Sequence, residues 1–440
     1  MLFKKLINSF SKFYDMIMSR YKFVWTFSGI IYALIYSIRP LPRKVDYLFI
    51  CHDAHRHSKK NGLNYAPLLD PIAEELTEKN YSCLTFAAPF SRLHGKNCFG
   101  DVRIYNSFII IALIKRIIFT RSLTLKNIAT DPLIFSYKKV LKKINPHSVI
   151  GIQPSIEICI AAKSLKIPIY DMQHGLISDI NYYNFNKRAH LNQEGWPTSI
   201  LCWDYESSLR VKSLTQDHVN PLVIGNPAYH SRYGKEISKQ VASKNYLLKY
   251  KTVILITLTY QDYYSKKNYL NNYGNNLFIQ VGMMEQLADV IKQTPDIYWR
   301  IRMHPIQAKF DFAKVSSSLK DLFEGFSNID WINYTNSSLG YALKGCIGHI
   351  TIDSAAAIDA AQNSIPSILI GCPGWSDRNK VDKYFEEYIS TNIMKYVEPD
   401  ELSYETLDFF NLDITSLKTK RLESANNFNS FINSIIKSND

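Results

Sequence analysis

Two consecutive doubly wound α/β units facing one another across a cleft are what this sequence predicts. Three observations lead there. Short apolar runs alternate with helix-length stretches; the alternation pauses at the charged residues 232–251 and then restarts; and 440 residues exceed one core but suit two domains of roughly 150–200 residues each. A hydrophobic content of 46% with 29 Tyr and 23 Phe supplies enough apolar surface for both cores, which excludes a disordered or low-complexity chain.

In the first half, residues 45–52 (VDYLFICH) form an apolar run that turns polar at its end, as a buried parallel strand does. A helix follows at 67–79 and a strand at 81–86. Residues 107–119 (SFIIIALIKRIIF) predict a buried helix too short to cross a bilayer. Strands at 148–153, 167–171, 199–203 and 222–224 and a helix at 156–165 continue the series. Residues 232–251 read as the connection between units. The second half opens on 252–258 (TVILITL), the clearest buried strand of the chain. A helix at 278–292, strands at 297–303, 329–334, 346–352 and 367–370, and a short helix at 355–362 complete it. Residues 413–437 have amphipathic helical spacing. The alternation makes each half a parallel, Rossmann-like sheet covered by helices. The expected division is a basic amphiphilic segment at 1–44, one domain at 45–235, a second at 236–405 and a helical tail at 406–440.

Net charge is +13, and residues 1–44 contribute 8 − 1 = +7 of it. A basic, aromatic segment of this kind suits an anionic membrane surface. Within it, residues 23–38 (FVWTFSGIIYALIYSI) hold no charge, and as a helix would reach about 24 Å, short of a hydrocarbon core. The segment therefore reads as an interfacial anchor, an inserted helix or a helix packed on the body, and not as a cleaved leader. The remaining +6 is spread without a nucleic-acid module, so nucleic acid is not an expected partner. Seven scattered cysteines, none in CxxC spacing, predict neither a disulfide framework nor a zinc site, and point to a reducing compartment.

Ligands of doubly wound sheets bind beyond the carboxyl ends of the strands, so residues just after strands carry the functional expectation. Four such places stand out. The first, Cys51-His52-Asp53-Ala54-His55-Arg56-His57, reads as a substrate loop, a histidine metal site or a solvated turn. The second holds Gln173, His174 and Gly175, where the imidazole suits a general base or a donor to an anion. The third is Arg300-Ile301-Arg302-Met303-His304-Pro305, whose alternate residues share a strand face and suit a phosphate or carboxylate. The fourth runs from Thr351 through Asp353 and Ser354 into Ala355–Ala357, a strand end followed by a small-residue helix expected to start at Asp353 or Ser354. Thr259, after the clearest strand, joins the third and fourth. Plain structural roles are the alternative at each place. Walker A, GxGxxG, GxSxG and DxD patterns are all absent, which disfavours NTPases, dehydrogenases, α/β-hydrolases and metal-carboxylate binding of a nucleotide sugar.

Taken together, Gln173-His174-Gly175, Arg302-Met303-His304-Pro305 and Asp353-Ser354 with its alanine-rich helix resemble bacterial surface-polysaccharide glycosyltransferases of the GT-B fold. The nearest likeness is to the capsule and lipopolysaccharide transferases of Kdo and sialic-acid-type sugars, which use CMP-activated donors. The resemblance implies a metal-independent transferase with no cofactor. Arg302, His304, Asp353, Ser354 and Thr259 would hold the nucleotide-sugar donor; His52, His57 and Gln173 would hold a glycan or lipid-linked glycan acceptor. Asp53, Glu157 or His174 would take the acceptor proton. A cytoplasmic protein peripheral to the inner face of the plasma membrane follows. The same His-Gly and His-Pro arrangement is similar to teichoic-acid glycerophosphotransferases using CDP-glycerol. A sugar-nucleotide epimerase and a non-catalytic assembly scaffold are the remaining alternatives.

Overall fold

The computed structural model describes residues 44–56, 58–87, 91, 93–104, 106–120, 127–175, 177, 188, 192–230, 250–259, 283, 285–337, 339–352, 354–371, 385–386, 388–411 and 426–436. Residues 1–43 of the N-terminal amphiphilic segment, residues 232–249 of the expected connection and most of the tail expected at 413–437 lie outside these residues.

The first unit contains β1 (Tyr47–Cys51), β2 (Ser58–Lys60), β3 (Leu63–Tyr65), α1 (Asp70–Glu78), β4 (Cys83–Ala87), β5 (Val102–Ile104), α2 (Asn106–Thr120), α3 (Pro132–Ile144), β6 (Ser148–Gly151), α4 (Ile156–Ser164), β7 (Ile169–Met172), β8 (Ser199–Cys202), α5 (Tyr205–Thr215) and β9 (Asn220–Val223). Its seven-stranded sheet has the order β5-β4-β1-β6-β7-β8-β9, all pairs parallel. The second unit contains β10 (Thr252–Thr257), α6 (Glu285–Gln293), β11 (Ile297–Arg302), α7 (Phe312–Leu322), β12 (Ile329–Asp330), β13 (Gly348–Thr351), α8 (Ala356–Gln362), β14 (Ser367–Ile370) and β15 (Met394–Val397). Its six strands lie in the order β12-β11-β10-β13-β14-β15, again all parallel. Leaving aside the small β2–β3 hairpin, both sheets run outward from a first strand in two directions, which is the Rossmann order.

Burial explains why these runs are strands. All of β6, β8, β13 and β14 and five of the six residues of β10 are buried, as a strand covered by helices on both faces must be. Gly348 in β13 lies under the ring of Phe410, and a Cβ there would stand 2.4 Å from it, so only glycine permits this packing. The helix at 426–436 returns to the first unit, where Phe428, Phe431, Ile432 and Ile435 join the core with Tyr47 and Phe49. The Tyr47 hydroxyl donates to the Ile435 carbonyl at 3.1 Å.

Three expectations need correction. Residues 329–334 are not one strand: β12 stops at Asp330 and Ile332–Thr335 turn into helix, with Ile332 exposed. Helix α2 forms where expected but is not buried, since Ile111, Ile118 and Phe119 face solvent. Helix α8 begins at Ala356, beyond the expected Asp353 or Ser354.

The helices over the first sheet are fixed by one buried cation. Arg116 on α2 donates to Asp131, the N-cap of α3, and to Glu157 in the first turn of α4, each at 2.8 Å. Asp131 also accepts from the backbone N–H groups of Leu133 and Ile134. Arg116→Leu leaves two carboxylates without their cation, and is expected to lower the urea-unfolding free energy of this unit by about 3–5 kcal/mol. A loss below about 1 kcal/mol would show the triad to be no more than an ordinary surface contact.

Candidate functional site

In the Rossmann order a crevice opens where the first and fourth strands part. In these two sheets that is between β1 and β6 and between β10 and β13. The edges carrying the two crevices face each other. Trp203, after β8, packs against Ala357 and Ile358 of α8 and against Phe385 and Tyr388. The Asp204 carboxylate accepts from the Tyr388 hydroxyl and, at 3.4 Å, from Gln362. Asn226, after β9, donates to Asp359 of α8 at 3.1 Å.

On the first edge, His52 follows β1, Asp53–His55 form a turn of 3-10 helix, and His174 follows β7. The His55 ring lies between the other two, with centroids 6.4 Å from His52 and 5.2 Å from His174, both edge-on. Burial lowers the His52 pKa, and burial together with the neighbouring His52 lowers that of His174 to about 4, so His174 is neutral at physiological pH. The Asp53 carboxylate accepts a hydrogen bond from Ser91. The turn is tied down by Arg56, 2% exposed, which grips both carboxylate oxygens of Asp70 at 2.9 and 3.2 Å. Burial outweighs this pairing at Asp70, whose pKa is pushed up to about 6. Among the described residues no group of His, Cys, Asp and Glu is arranged to hold a metal ion, and His57 lies outside them.

On the second edge, Thr259 follows β10, His304 follows β11 and Ser354 follows β13. Because β11 and β13 flank β10, the chain positions after them are separated by about two strand spacings, some 10 Å. Gln307, 2% exposed, joins two of these loops: its carbonyl oxygen accepts from the His304 backbone N–H at 2.9 Å, and its amide donates to the Thr259 carbonyl at 3.3 Å. The Thr259 hydroxyl is buried and meets no hydrogen-bond partner among the described residues. Nδ1 of His304 accepts the Ile306 backbone N–H at 3.2 Å, so the neutral ring carries its proton on Nε2. Burial, then the adjacent Arg302 charge, lower its pKa to about 4. The Ser354 hydroxyl accepts from the Ala356 N–H at 3.2 Å in the turn that precedes α8; Asp353 lies outside the described residues.

Three sequence-based assignments change. Gln173 does not reach an acceptor. It is fully buried, its carbonyl oxygen accepts from the Trp203 backbone N–H at 2.8 Å, and its amide donates to the Gly175 carbonyl and the Ser207 hydroxyl at 3.0 Å. Its place is to shape the His174–Gly175 turn. Glu157 is the partner of Arg116 in the helix layer and not a proton acceptor at the crevice. Arg302 clamps the Tyr334 and Ser337 carbonyls, so its donors are engaged with the backbone at the strand end; burial lowers its pKa to about 10, leaving it cationic. The structure adds His55, Ser91 and Gln307 to the site. Of these only His55 carries a sequence signal, as part of the histidine-dense loop.

No protein-family model matches the chain, and no curated protein matches its sequence. Solved structures do match its fold. A protein described as a UDP-N-acetylglucosamine 2-epimerase from Listeria monocytogenes superposes with a TM-score of 0.55 at 14% identity, covering 90% of this chain and 98% of its own. The glycotransferase of kitacinnamycin gives 0.53 at 11%, covering 90% and 99%. A further UDP-N-acetylglucosamine 2-epimerase gives 0.50 at 11%, covering 90% and 95%. Identities this low establish fold and no more: the chain has the two Rossmann-like domains of the GT-B fold.

The histidine chemistry is directly measurable. Since folding lowers both pKa values from 6.5 to about 4, the rings of His174 and His304 are expected to stay neutral from pH 8 to 5 in nitrogen-15 NMR, His304 as the Nε2–H tautomer. These two groups then bind fewer protons folded than unfolded between about pH 4 and 6.5. Their contribution to stability is therefore complete above pH 6.5 and falls as pH drops through that window. Either ring titrating near 6.5 would contradict this description.

Proposed function

We propose that the protein is a glycosyltransferase that moves a sugar from a nucleotide-linked donor to a hydroxyl of a growing surface glycan. The observation that carries this reading is the convergence at the β10–β13 crevice. Three loops end there, presenting the ring of His304 with its proton on Nε2, the buried Thr259 hydroxyl and the Ser354 hydroxyl in the turn before α8, beside the Arg302 charge. Negative charge grows on the donor phosphate as the glycosidic bond breaks. A neutral donor already aimed at that oxygen, backed by a fixed cation, stabilises the leaving group without reorganisation.

The acceptor would lie across the cleft, against the edge of the first sheet. Asp53 and the neutral His174 are the proton acceptors there, and the buried Gln173 holds the His174 turn in register. The motif likeness favours a CMP-linked donor carrying Kdo or another nonulosonic acid, and an acceptor in capsule or lipopolysaccharide synthesis. Work at the inner face of the plasma membrane is supported by the basic N-terminal sequence and by six described cysteines that form no disulfide. Among the described residues no helix is long and apolar enough to cross a membrane.

The first experiment is a thermal-shift screen with CMP, CDP and UDP. Stabilisation by CMP, lost in His304→Ala, is the expected result; a shift with CDP-glycerol in place of CMP moves the reading to glycerophosphate transfer, and no shift with any nucleotide removes the enzyme. In transfer assays a folded His304→Ala variant is expected to lose roughly 10²-fold in turnover. Conversion of a nucleotide sugar to its epimer in the absence of acceptor would replace transfer with epimerisation.

A further inference from the structure

All of the chain's net positive charge sits in two segments. Residues 1–44 carry 8 − 1 = +7; residues 106–144 carry Lys115, Arg116, Arg121, Lys126, Lys138, Lys139, Lys142 and Lys143 against Asp131 alone, again 8 − 1 = +7; the rest sums to 13 − 14 = −1. The second segment is the pair α2 and α3 with the chain between them. Its one acidic side chain is buried against Arg116, and among its described residues Lys115, Lys139, Lys142 and Lys143 are exposed.

The same surface exposes large apolar side chains. On α2, Ile111, Ile118 and Phe119 are 53%, 55% and 75% exposed, and Phe135 on α3 is 69% exposed. The α2 residues are spaced at i, i+7 and i+8, with the exposed Lys115 between them, so they form one stripe along the helix. On α3, Phe135, Lys139 and Lys142 follow one exposed line at i, i+4 and i+7. A helix core would not leave two phenylalanines and two isoleucines in water beside lysines; an interface between hydrocarbon and anionic headgroups accommodates both kinds of side chain at once.

The orientation is informative. Arg116 bonds the first turn of α4 and the N-cap of α3 together, and α4 starts directly beyond the carboxyl end of β6. Ile118, Phe119 and Phe135 each lie within about one helical turn of that junction along the chain. The apolar end of the surface is thus at the edge of the sheet that carries His52 and His174.

We propose that the α2–α3 surface is a docking face for an anionic lipid bilayer, with Ile118, Phe119 and Phe135 entering the headgroup boundary and Lys115, Lys139 and Lys142 meeting lipid phosphates. It would hold the acceptor crevice against the membrane in which a lipid-linked acceptor resides. That last consequence rests on the proposed glycosyl transfer; the lipid contact does not, and the test reads the contact alone.

The full chain is sedimented with sucrose-loaded vesicles of phosphatidylcholine, with and without phosphatidylglycerol. Ile118→Ser/Phe119→Ser/Phe135→Ser is expected to lower partition onto phosphatidylglycerol vesicles at least about tenfold. Lys139→Gln/Lys142→Gln should lower it by roughly fivefold per lysine at low salt and flatten its salt dependence. Nucleotide-induced thermal shifts should be unchanged in both. Because residues 1–44 also favour anionic surfaces, a second readout is specific to the face: Phe119→Trp in the full chain should add indole fluorescence that brominated lipids quench. Sedimentation of the triple variant equal to the parent overturns the proposal, as does a vesicle-bound Phe119→Trp variant whose added fluorescence brominated lipids leave unquenched. So does a parent dimer that the triple variant converts to monomer with vesicle binding intact, or lysine variants that lose RNA binding alone.

Discussion

A parallel strand covered by helices on both sides has no water to offer its side chains, so a polar group along it must find a partner inside the protein or move to the strand's end. Both sheets obey this constraint, and the candidate site is its consequence. Polar residues within strands are in several cases satisfied on the spot: His349 in β13 bonds Thr257 and Ser367, both at 3.0 Å, and burial holds its pKa near 3, whereas the buried Ser148 hydroxyl of β6 meets no partner among the described residues. Arg300 in β11 donates to the Ala342 and Lys344 carbonyls and stacks on Tyr334. The groups left to meet a ligand, His52, His174, Thr259, His304 and Ser354, all stand one to three residues beyond a strand.

The same desolvation sets their charge. Imidazoles largely withdrawn from water at these edges resist protonation, the more so beside a cation such as Arg302 or another ring. For the proposed donor phosphate this means donors that are neutral before the ligand arrives, with fixed positive charge from an arginine that the strand end already holds. Neutrality also has a cost for proton transfer. His174 at about 4 is ready to accept a proton at physiological pH but holds it weakly.

How much of this is legible in the sequence follows from where each signal resides. Buried parallel strands announce themselves as compact apolar runs, and TVILIT of β10 is plain without any structure. The β2–β3 hairpin is three polar-rich residues on each side, too short to display a period, and α5 and α7 carry too many Ser and Lys residues to stand out against loops. Residues 329–334 mislead because apolar and aromatic composition fits a strand, while the Asp330 carboxylate accepts from Asn333 N–H and starts a helix. The strand-end residues are legible because the constraint on them is local. Their supports are not: Gln173 meets Trp203 and Ser207, and Gln307 meets Thr259, across 30 or more residues, and no spacing rule connects them.

The contact between the two units adds one more consequence of burial. Trp203 supplies an apolar anchor against α8, but the polar contacts around it converge on two carboxyl groups, Asp204 and Asp359. Burial raises the pKa of both; for Asp359 it reaches about 7, in spite of hydrogen bonds from Tyr229 and Asn226 and the Arg302 charge. A protonated carboxyl tolerates this setting, whereas ionisation in place is unfavourable. Asp359 holds a proton in the closed arrangement that it would release in water, so the contact weakens as pH rises from the ordinary 3.8 to about 7. A cleft that admitted solvent near α8 would relieve the strain on this carboxyl. Because Arg302 acts on both Asp359 and His304, any opening of the units alters the field at the same strand end that is proposed to face the donor phosphate. Asp359 and His304 thus lie in the field of one half-buried arginine, which ties the contact between the units to the strand end after β11.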